Sequence, residues 1–269
     1  RLSPRTAADP TRRAALEAVD LVEWFRDMPW RPGHSPLAAA PEYEAYLFEQ
    51  WRAGTLGEYW QRPGLWAEGH YDAMPDVPVA VVGSWYDPYA STCTRNFTEL
   101  SRRKRGPVRL LMGPWTHGDR SQSHAGEVDF GAAATLDGNV APDYLALRLG
   151  WFDRWLKRGG SPSTALGEPV TWFEMGGGPG GRDAAGRLRH GGRWRAADAW
   201  PPREARRTVL HLHEGGRLDA APPESGAAFA EYLYDPRDPV PTIGGALTSG
   251  EPVMSGGAFD QRIDADTFT

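Results

Sequence analysis

The sequence predicts an α/β protein whose C-terminal part changes to an all-β region. Two short apolar runs, Pro78 to Val82 and Val108 to Met112, are bounded by Gly and Pro, which is typical of parallel strands covered on both faces. The stretch between them, Tyr89 to Arg103, is long enough for one helix. After Gly159, strand-like segments alternate with Gly- and Pro-rich intervals. A strand, helix, strand unit followed by short strands is therefore the expected chain order.

The residues before the first strand are predicted to be helical. Apolar residues recur at helical spacing in two runs, at about residues 15–25 and 41–51. Asp9 before Pro10, and Pro41 at the start of the second run, are typical signals for the beginning of a helix. We therefore expect a small helical subdomain over residues 1–74.

A long amphipathic helix is predicted after the second strand. Its apolar residues share one face, and Gly159 can end it; they are Leu145, Leu149, Phe152 and Leu156. Together with the strand, helix, strand unit, this helix makes residues 75–160 half of a doubly wound α/β domain.

The remaining residues, 161–269, are predicted to form an all-β domain of sandwich or jelly-roll type. The segments Pro169 to Met175 and Thr208 to His213 have strand composition. A polar linker that contains Gly, Ser and Pro, at about residues 158–167, is the expected boundary.

Composition narrows the classes of function. A net charge of −5 provides no attraction for nucleic acid or anionic membranes, and no apolar stretch approaches the ~20 residues that span a bilayer. A single cysteine, Cys93, excludes an intrachain disulfide framework and fits a reducing compartment, so we expect a cytoplasmic protein. Export stays open because the sequence begins with Arg1 rather than Met. Arg-rich, Gly- and Pro-rich usage suggests a GC-rich bacterial genome.

Two motifs place polar residues directly after the predicted strands. GSWYD ends at Asp87 and GPWTH ends at His117. The carboxyl ends of neighbouring parallel strands are where open α/β sheets carry their chemistry, and these residues suit the acid and base of a Ser-His-Asp triad. Two simpler interpretations stay open. Asp87 before Pro88 also suits a helix N-cap, and His117 alone could be a solvated loop histidine.

A metal site is the competing interpretation of this loop. Five possible ligands lie within thirteen positions: His117, Asp119, His124, Glu127 and Asp129. Their spacing lacks the helical i, i+4 register that directs two ligands at one ion. We therefore predict no metal.

The motifs together resemble the CocE/NonD family of bacterial serine hydrolases, which is related to X-Pro dipeptidyl-peptidases. The matching strings occur in the family's order: GSWYDPY, GPWTHG, WFDRWLKRGG, PVTWFEMGG and YDPRDPVPTIGG. The resemblance implies a helical cap segment (1–74), the C-terminal part of an α/β-hydrolase domain (75–160) and an incomplete jelly roll (161–269). It also implies no cofactor.

The resemblance assigns catalytic roles to Asp87 and His117, in the α/β-hydrolase order of acid before histidine. Tyr89 and Trp115, each two residues from one of them, are expected to line an apolar acyl pocket. The family's nucleophile lies on a G-x-S-x-G or G-x-S-x-x-G elbow, and no such string occurs here, since Ser35 and Ser161 lack the second glycine.

We therefore expect the nucleophile and the oxyanion hole in a missing N-terminal half, on the same polypeptide or on a partner chain, and we expect residues 1–269 alone to be inactive. The predicted function is a serine hydrolase of esterase or acylase type that cleaves a small-molecule ester or amide through an acyl-enzyme. An X-Pro dipeptidyl-peptidase and a non-catalytic, carbohydrate-binding jelly-roll module are the alternatives. Related α-amino-acid ester hydrolases carry carboxylates directly after the triad Asp, whereas Pro88, Tyr89 and Ala90 follow here.

Overall fold

The computed structural model describes residues 4–118, 120–157 and 166–224, and also residues 231, 233, 235, 245 and 246. The chain divides into two compact units, residues 1–72 and 73–269. No helix in these described ranges is both long enough and apolar enough to cross a bilayer.

The first unit is helical, as predicted. Asp9 caps the second helix by accepting a hydrogen bond from the Arg12 backbone N–H at 3.0 Å. Pro is the first residue of three helices, where its missing N–H leaves no hydrogen bond unmade. The helices of this unit are α1 (Pro4–Ala7), α2 (Pro10–Glu17), α3 (Leu21–Arg26) and α4 (Pro41–Arg52).

Trp30 organises the aromatic packing of this unit. Its ring stacks on Trp51 with centroids 5.5 Å apart, and it also contacts Trp24 and Phe25. The Trp30 indole N–H donates to the Trp24 carbonyl at 2.7 Å, so the polar edge of the ring is satisfied inside the cluster.

The second unit is built on a four-stranded mixed sheet in the order β1-β2-β5-β7. The first three strands run parallel, and β7 is antiparallel to β5. Two helices, α5 and α6, and two smaller sheets accompany it. The elements are β1 (Val79–Tyr86), α5 (Ala90–Arg103), β2 (Val108–Thr116), β3 (His124–Ala125), β4 (Val128–Asp129), α6 (Tyr144–Leu156), β5 (Val170–Met175), β6 (Leu188–Arg189), β7 (Gly192–Ala197), β8 (His211–His213) and β9 (Arg217–Asp219).

The strand, helix, strand unit is present, and both strands run further than predicted. β1 and β2 pair in parallel from Val79↔Val108 to Tyr86↔Thr116, with one irregularity between Ser84 and Tyr86. All but the last residue of each motif therefore belongs to the C-terminal end of its strand. The connecting helix α5 buries Phe97 and Leu100, which anchors it in the core. This mixed sheet with its helices fits an α/β-hydrolase-like fold.

The sheet continues across the predicted domain boundary at residue 161, which is a correction. β5 and β7, which the sequence suggested for the all-β domain, belong to the same sheet as β1 and β2. A parallel pair such as β2 and β5 requires a long crossover, and α6 lies within that connection. The predicted linker, at about residues 158–167, lies mostly outside the described residues.

The predicted jelly roll stays a prediction. Of its expected strands beyond β7, the structure describes the short antiparallel pair β8 and β9. The motif YDPRDPVPTIGG lies mostly outside the described residues. A further three-stranded sheet, β3-β4-β6, belongs to the loops that follow β2 and β5.

Helix α6 has an apolar face that the described residues leave uncovered. Leu147 is its buried residue, at 3% exposure. The predicted stripe lies elsewhere on the helix and is largely exposed: Leu145, Leu149, Phe152 and Leu156 are 62%, 54%, 50% and 77% exposed. An exposed apolar stripe of this kind is typical of a surface that another element or chain covers.

We predict that Gly83→Ala destabilises the protein. A Cβ atom at Gly83 would lie 2.8 Å from both Cys93 Sγ and Met112 Sδ, so the packing between β1 and α5 must shift. Overpacking of this kind costs about 1–3 kcal/mol, which should appear as a lower midpoint in chemical denaturation. The added substitution Cys93→Ala should restore part of the loss. Gly54→Ala is the control, because a Cβ there meets nothing within 4 Å. A neutral Gly83→Ala would contradict the packing described here.

Candidate active site

The candidate site lies where β1 and β2 end. Asp87 directly follows β1, and His117 directly follows β2. Because the two strands pair in parallel up to Tyr86↔Thr116, both residues emerge side by side at the same edge of the sheet. The sequence separation of 30 residues is taken up by α5 and β2, as the motif spacing predicted.

Asp87 and His117, called the Asp–His pair below, are joined by a hydrogen bond. His117 Nδ1 lies 2.8 Å from Asp87 Oδ2, inside the distance expected for a base and its orienting carboxylate. An ionised carboxylate only accepts, so this contact places the proton of a neutral imidazole on Nδ1. Nε2 then carries the lone pair that could accept a proton.

The second oxygen of Asp87 serves the backbone. Oδ1 accepts a hydrogen bond from the Tyr89 N–H at 2.8 Å, which forms an Asx-turn just before α5. The helix-entry and triad interpretations of Asp87 are therefore compatible, since each uses a different oxygen. Asp87 is 8% exposed, and both oxygens have partners, so this buried carboxylate is satisfied.

The outer side of His117 remains open. Its side chain is 49% exposed, whereas that of Asp87 is 10% exposed. Within the described parts of the chain, the hydrogen bond to Asp87 is the one that the imidazole makes. Nε2 is thus free to meet a hydroxyl group brought from outside these residues.

The structure separates the two predicted pocket residues. Tyr89 lies at the site: its ring and that of His117 are 5.7 Å apart in a T-shaped arrangement, and Tyr89 is 54% exposed. Trp115, in contrast, is fully buried, and its indole N–H donates to the Ala134 carbonyl at 2.9 Å. The expectation that Trp115 lines an acyl pocket is wrong for this arrangement, because its ring faces the core, where it meets Trp194.

Cys93 lies within electrostatic reach of Asp87, but its environment does not suit a nucleophile. Burial, and secondarily the charge of Asp87, raise the pKa of its thiol. A nucleophilic cysteine needs the opposite shift, because the thiolate is the reactive form. The sequence did not indicate that Cys93 would lie against Gly83 of β1, apart from the position of Cys93 within the predicted helix.

Two of the described serines are buried. Ser35 is 2% exposed and donates from Oγ to the buried Glu44 carboxylate at 2.6 Å, so its hydroxyl is committed to a structural bond. Ser84 is also 2% exposed, within β1. Ser161 lies outside the described residues.

The residues considered above as possible metal ligands have separate partners in the structure. His117 bonds to Asp87, and His124 and Asp129 are cross-strand partners in β3 and β4. Asp129 Oδ1 accepts from the Ser123 hydroxyl at 3.0 Å. Asp119 lies outside the described residues. Among the described residues, no group of three or more His, Cys, Asp or Glu side chains could hold a metal ion.

The sequence analysis did not predict the contacts that hold the end of β1, next to Asp87, in place. Tyr86, directly before Asp87, packs its ring against Phe130, and burial raises the pKa of its phenol. Trp85 donates its indole N–H to the Phe173 carbonyl at 2.9 Å, which ties β1 to β5. The aromatic residues of the GSWYD motif were the available signal, but composition alone does not say which strand they contact.

Two comparisons with known proteins bear on this site. Residues 5–119 match the family model described as X-Pro dipeptidyl-peptidase (S15 family), and this range contains both Asp87 and His117. The chain is also 29% identical, over 180 residues, to a cocaine esterase from Rhodococcus sp. (strain MB1 Bresler). That alignment covers 64% of this chain and 28% of the relative, so the chain matches little more than a quarter of the curated protein's length.

We predict that Asp87→Asn lowers the pKa of the Cys93 thiol. The negative charge of Asp87 disfavours the thiolate, so its removal should make deprotonation easier, while burial keeps the pKa above its ordinary value. The pH dependence of iodoacetamide alkylation measures this directly, because the chain has one cysteine. Asp198→Asn, which removes an exposed ion-pair partner of Arg203, should leave the profile unchanged. An unchanged or raised pKa of the Cys93 thiol in Asp87→Asn would contradict the electrostatic effect of Asp87 on Cys93.

Proposed function

Since the chain belongs to the CocE/NonD family of X-Pro dipeptidyl-peptidase relatives, we propose that it forms part of a serine hydrolase that cleaves an ester or an amide. The observation that carries this proposal is the Asp–His pair: a 2.8 Å bond from His117 Nδ1 to a buried carboxylate, with Nε2 left open. This is the arrangement that a serine hydroxyl needs in order to become a nucleophile.

In the proposed mechanism, His117 Nε2 takes the proton from a serine Oγ as that oxygen attacks the substrate carbonyl carbon. Asp87 holds the imidazole in the tautomer with Nδ1–H and stabilises the imidazolium that forms. His117 then gives the proton to the leaving oxygen or nitrogen, and the acyl group remains on the serine. Water then attacks the acyl carbon while His117 Nε2 takes its proton. The bond from the acyl carbon to the serine oxygen breaks, His117 returns the proton to Oγ, and the acid is released.

We place the serine and the oxyanion donors outside residues 1–269. The absence of an elbow string and the buried positions of Ser35 and Ser84 support this. Two surfaces of the second unit also support it. β1 ends the sheet order, so one of its edges has no partner strand among the described residues, and α6 carries its bare apolar stripe. We propose that the missing polypeptide covers both.

The proposed substrate is a neutral ester with a hydrophobic acyl group. Pro88, Tyr89 and Ala90 follow Asp87, so this segment offers no carboxylate to bind a substrate ammonium group. The exposed ring of Tyr89 beside His117 can form one apolar wall of an acyl pocket. The esterase relative agrees with this choice of substrate class.

An X-Pro dipeptidyl-peptidase is the second candidate. The family model that matches residues 5–119 favours it. Such an enzyme must bind the free amino terminus of a peptide, which calls for acidic groups beside the acyl pocket. Those groups would have to come from outside the segment that follows Asp87. A panel of matched substrates distinguishes the two candidates.

We expect Asp87→Asn to reduce kcat by about 10⁴-fold in the full-length polypeptide, because the imidazole then adopts the wrong tautomer. His117→Ala should reduce kcat by at least as much, with little change in thermal stability for either variant. The measurements are ester hydrolysis and labelling by a fluorophosphonate. His34→Ala is a matched control, since it removes another His–Asp pair, in which His34 Nε2 lies 2.7 Å from Asp27 Oδ2. Full activity in His117→Ala would disprove the proposed roles.

We expect kcat/KM to be higher for neutral aryl or aliphatic acyl esters than for matched α-amino esters or X-Pro dipeptide amides. The physical reason is that an apolar wall gains from hydrophobic bulk, whereas an unpaired ammonium group must lose its hydration without compensation. Steady-state kinetics on substrates with one common leaving group test this order. A preference for the charged substrates would favour the dipeptidyl-peptidase instead.

A further inference from the structure

Tyr89 contacts both members of the Asp–His pair. Its backbone N–H donates to Asp87 Oδ1 at 2.8 Å, and its ring meets the His117 ring at 5.7 Å and 64°. We propose that Tyr89 is a positioning residue that holds the imidazole of His117 in line with Asp87. This inference rests on the proposed function and adds to it a role that is separate from any contact with substrate.

The backbone fixes where the Tyr89 ring stands. Pro88 has a restricted φ angle, and a residue before proline, here Asp87, is restricted as well. The Asp87 carbonyl also accepts a hydrogen bond from the Ala90 N–H at 3.0 Å, where α5 begins. The Tyr89 side chain is 54% exposed, so its position follows from this stiff turn more than from packing in the core.

His117 needs such a contact. In the described structure its imidazole has one hydrogen bond, at Nδ1, and its side chain is 49% exposed. A single bond allows the ring to rock about the line from Nδ1 to Oδ2, which would swing Nε2 away from an attacking serine. Aromatic rings at this distance and angle attract each other, so Tyr89 limits that motion.

Two expected results distinguish positioning of His117 by Tyr89 from direct contact between Tyr89 and the acyl group of the substrate. The loss of rate must appear with small acyl groups as well as with large ones, because the contact is with His117. The effect belongs to the ring, since no described residue accepts a hydrogen bond from the phenol oxygen or donates one to it, so phenylalanine should rescue the loss that alanine causes.

The kinetic test uses Tyr89→Ala and Tyr89→Phe in the full-length polypeptide, with an acetyl ester and a bulky aryl-acyl ester that share one leaving group. We expect Tyr89→Ala to lower kcat about 3- to 10-fold for the acetyl ester with little change in KM, as the loss of one aromatic pair predicts. The bulky ester should lose at least that factor. Tyr89→Phe, which keeps the aromatic ring, should recover most of the kcat that Tyr89→Ala loses. Tyr43→Ala, which removes another exposed tyrosine, is the control.

A spectroscopic readout makes the test independent of turnover. The Nδ1–H proton of His117, observed by NMR with labelled histidine, should be retained in Tyr89→Phe and broadened or lost in Tyr89→Ala. An unchanged resonance in Tyr89→Ala, or a kinetic loss confined to the bulky ester, would overturn the positioning role. If no variant hydrolyses any ester, the proposed function fails, and the resonance alone still decides whether Tyr89 orders His117.

Discussion

The parallel pairing of β1 and β2 is the constraint on which the candidate site depends. Each strand ends in a polar residue, and the register from Val79↔Val108 to Tyr86↔Thr116 delivers Asp87 and His117 to one edge together. A shift of this register would separate the two side chains. Gly83 allows the close packing of Cys93 and Met112 that holds this register against α5. The geometry of the site is therefore set by backbone pairing and core packing before any side-chain bond forms.

Asp87 shows how one buried carboxylate can serve structure and chemistry at once. One oxygen accepts from the Tyr89 backbone and shapes the entry into α5, while the other accepts from His117. Because each oxygen accepts one of these hydrogen bonds, the carboxylate is held in a single orientation. A carboxylate with one free oxygen could rotate, and the bond to His117 would then exist for only part of the time.

Much of the fold could be predicted because its signals are local. Apolar runs bounded by Gly and Pro located β1 and β2, the length of the stretch between them predicted α5, and helical spacing located α6. The contact between Asp87 and His117 followed from their places at the strand ends. The acid and base roles themselves stay a prediction that the resemblance to known hydrolases supports.

The predictions for Trp115 and β5 were wrong because burial and sheet membership depend on residues that are distant in the sequence. Trp115 lies two positions before His117, but inside a strand, and its hydrogen-bond partner Ala134 belongs to the 3-10 helix Ala132–Ala134 further along the chain. Closeness in sequence to His117 therefore gave a false indication of exposure. The strand composition of β5 did not reveal which sheet it joins, and the linker before it resembled a domain boundary. The apolar stripe of α6 was read correctly as one face, but nothing in the sequence showed that this face is bare within the described residues.

The short separation of 30 residues between Asp87 and His117 has a consequence for folding. Closing a loop of this length costs little chain entropy, and contacts between near neighbours in sequence form faster than distant ones. The unit β1-α5-β2 can thus assemble early, before the sheet gains β5 and β7, which begin only at Val170 and Gly192. A nucleophile that arrives from elsewhere in the polypeptide would then meet a base that is already oriented, so the order of assembly favours a site completed by docking.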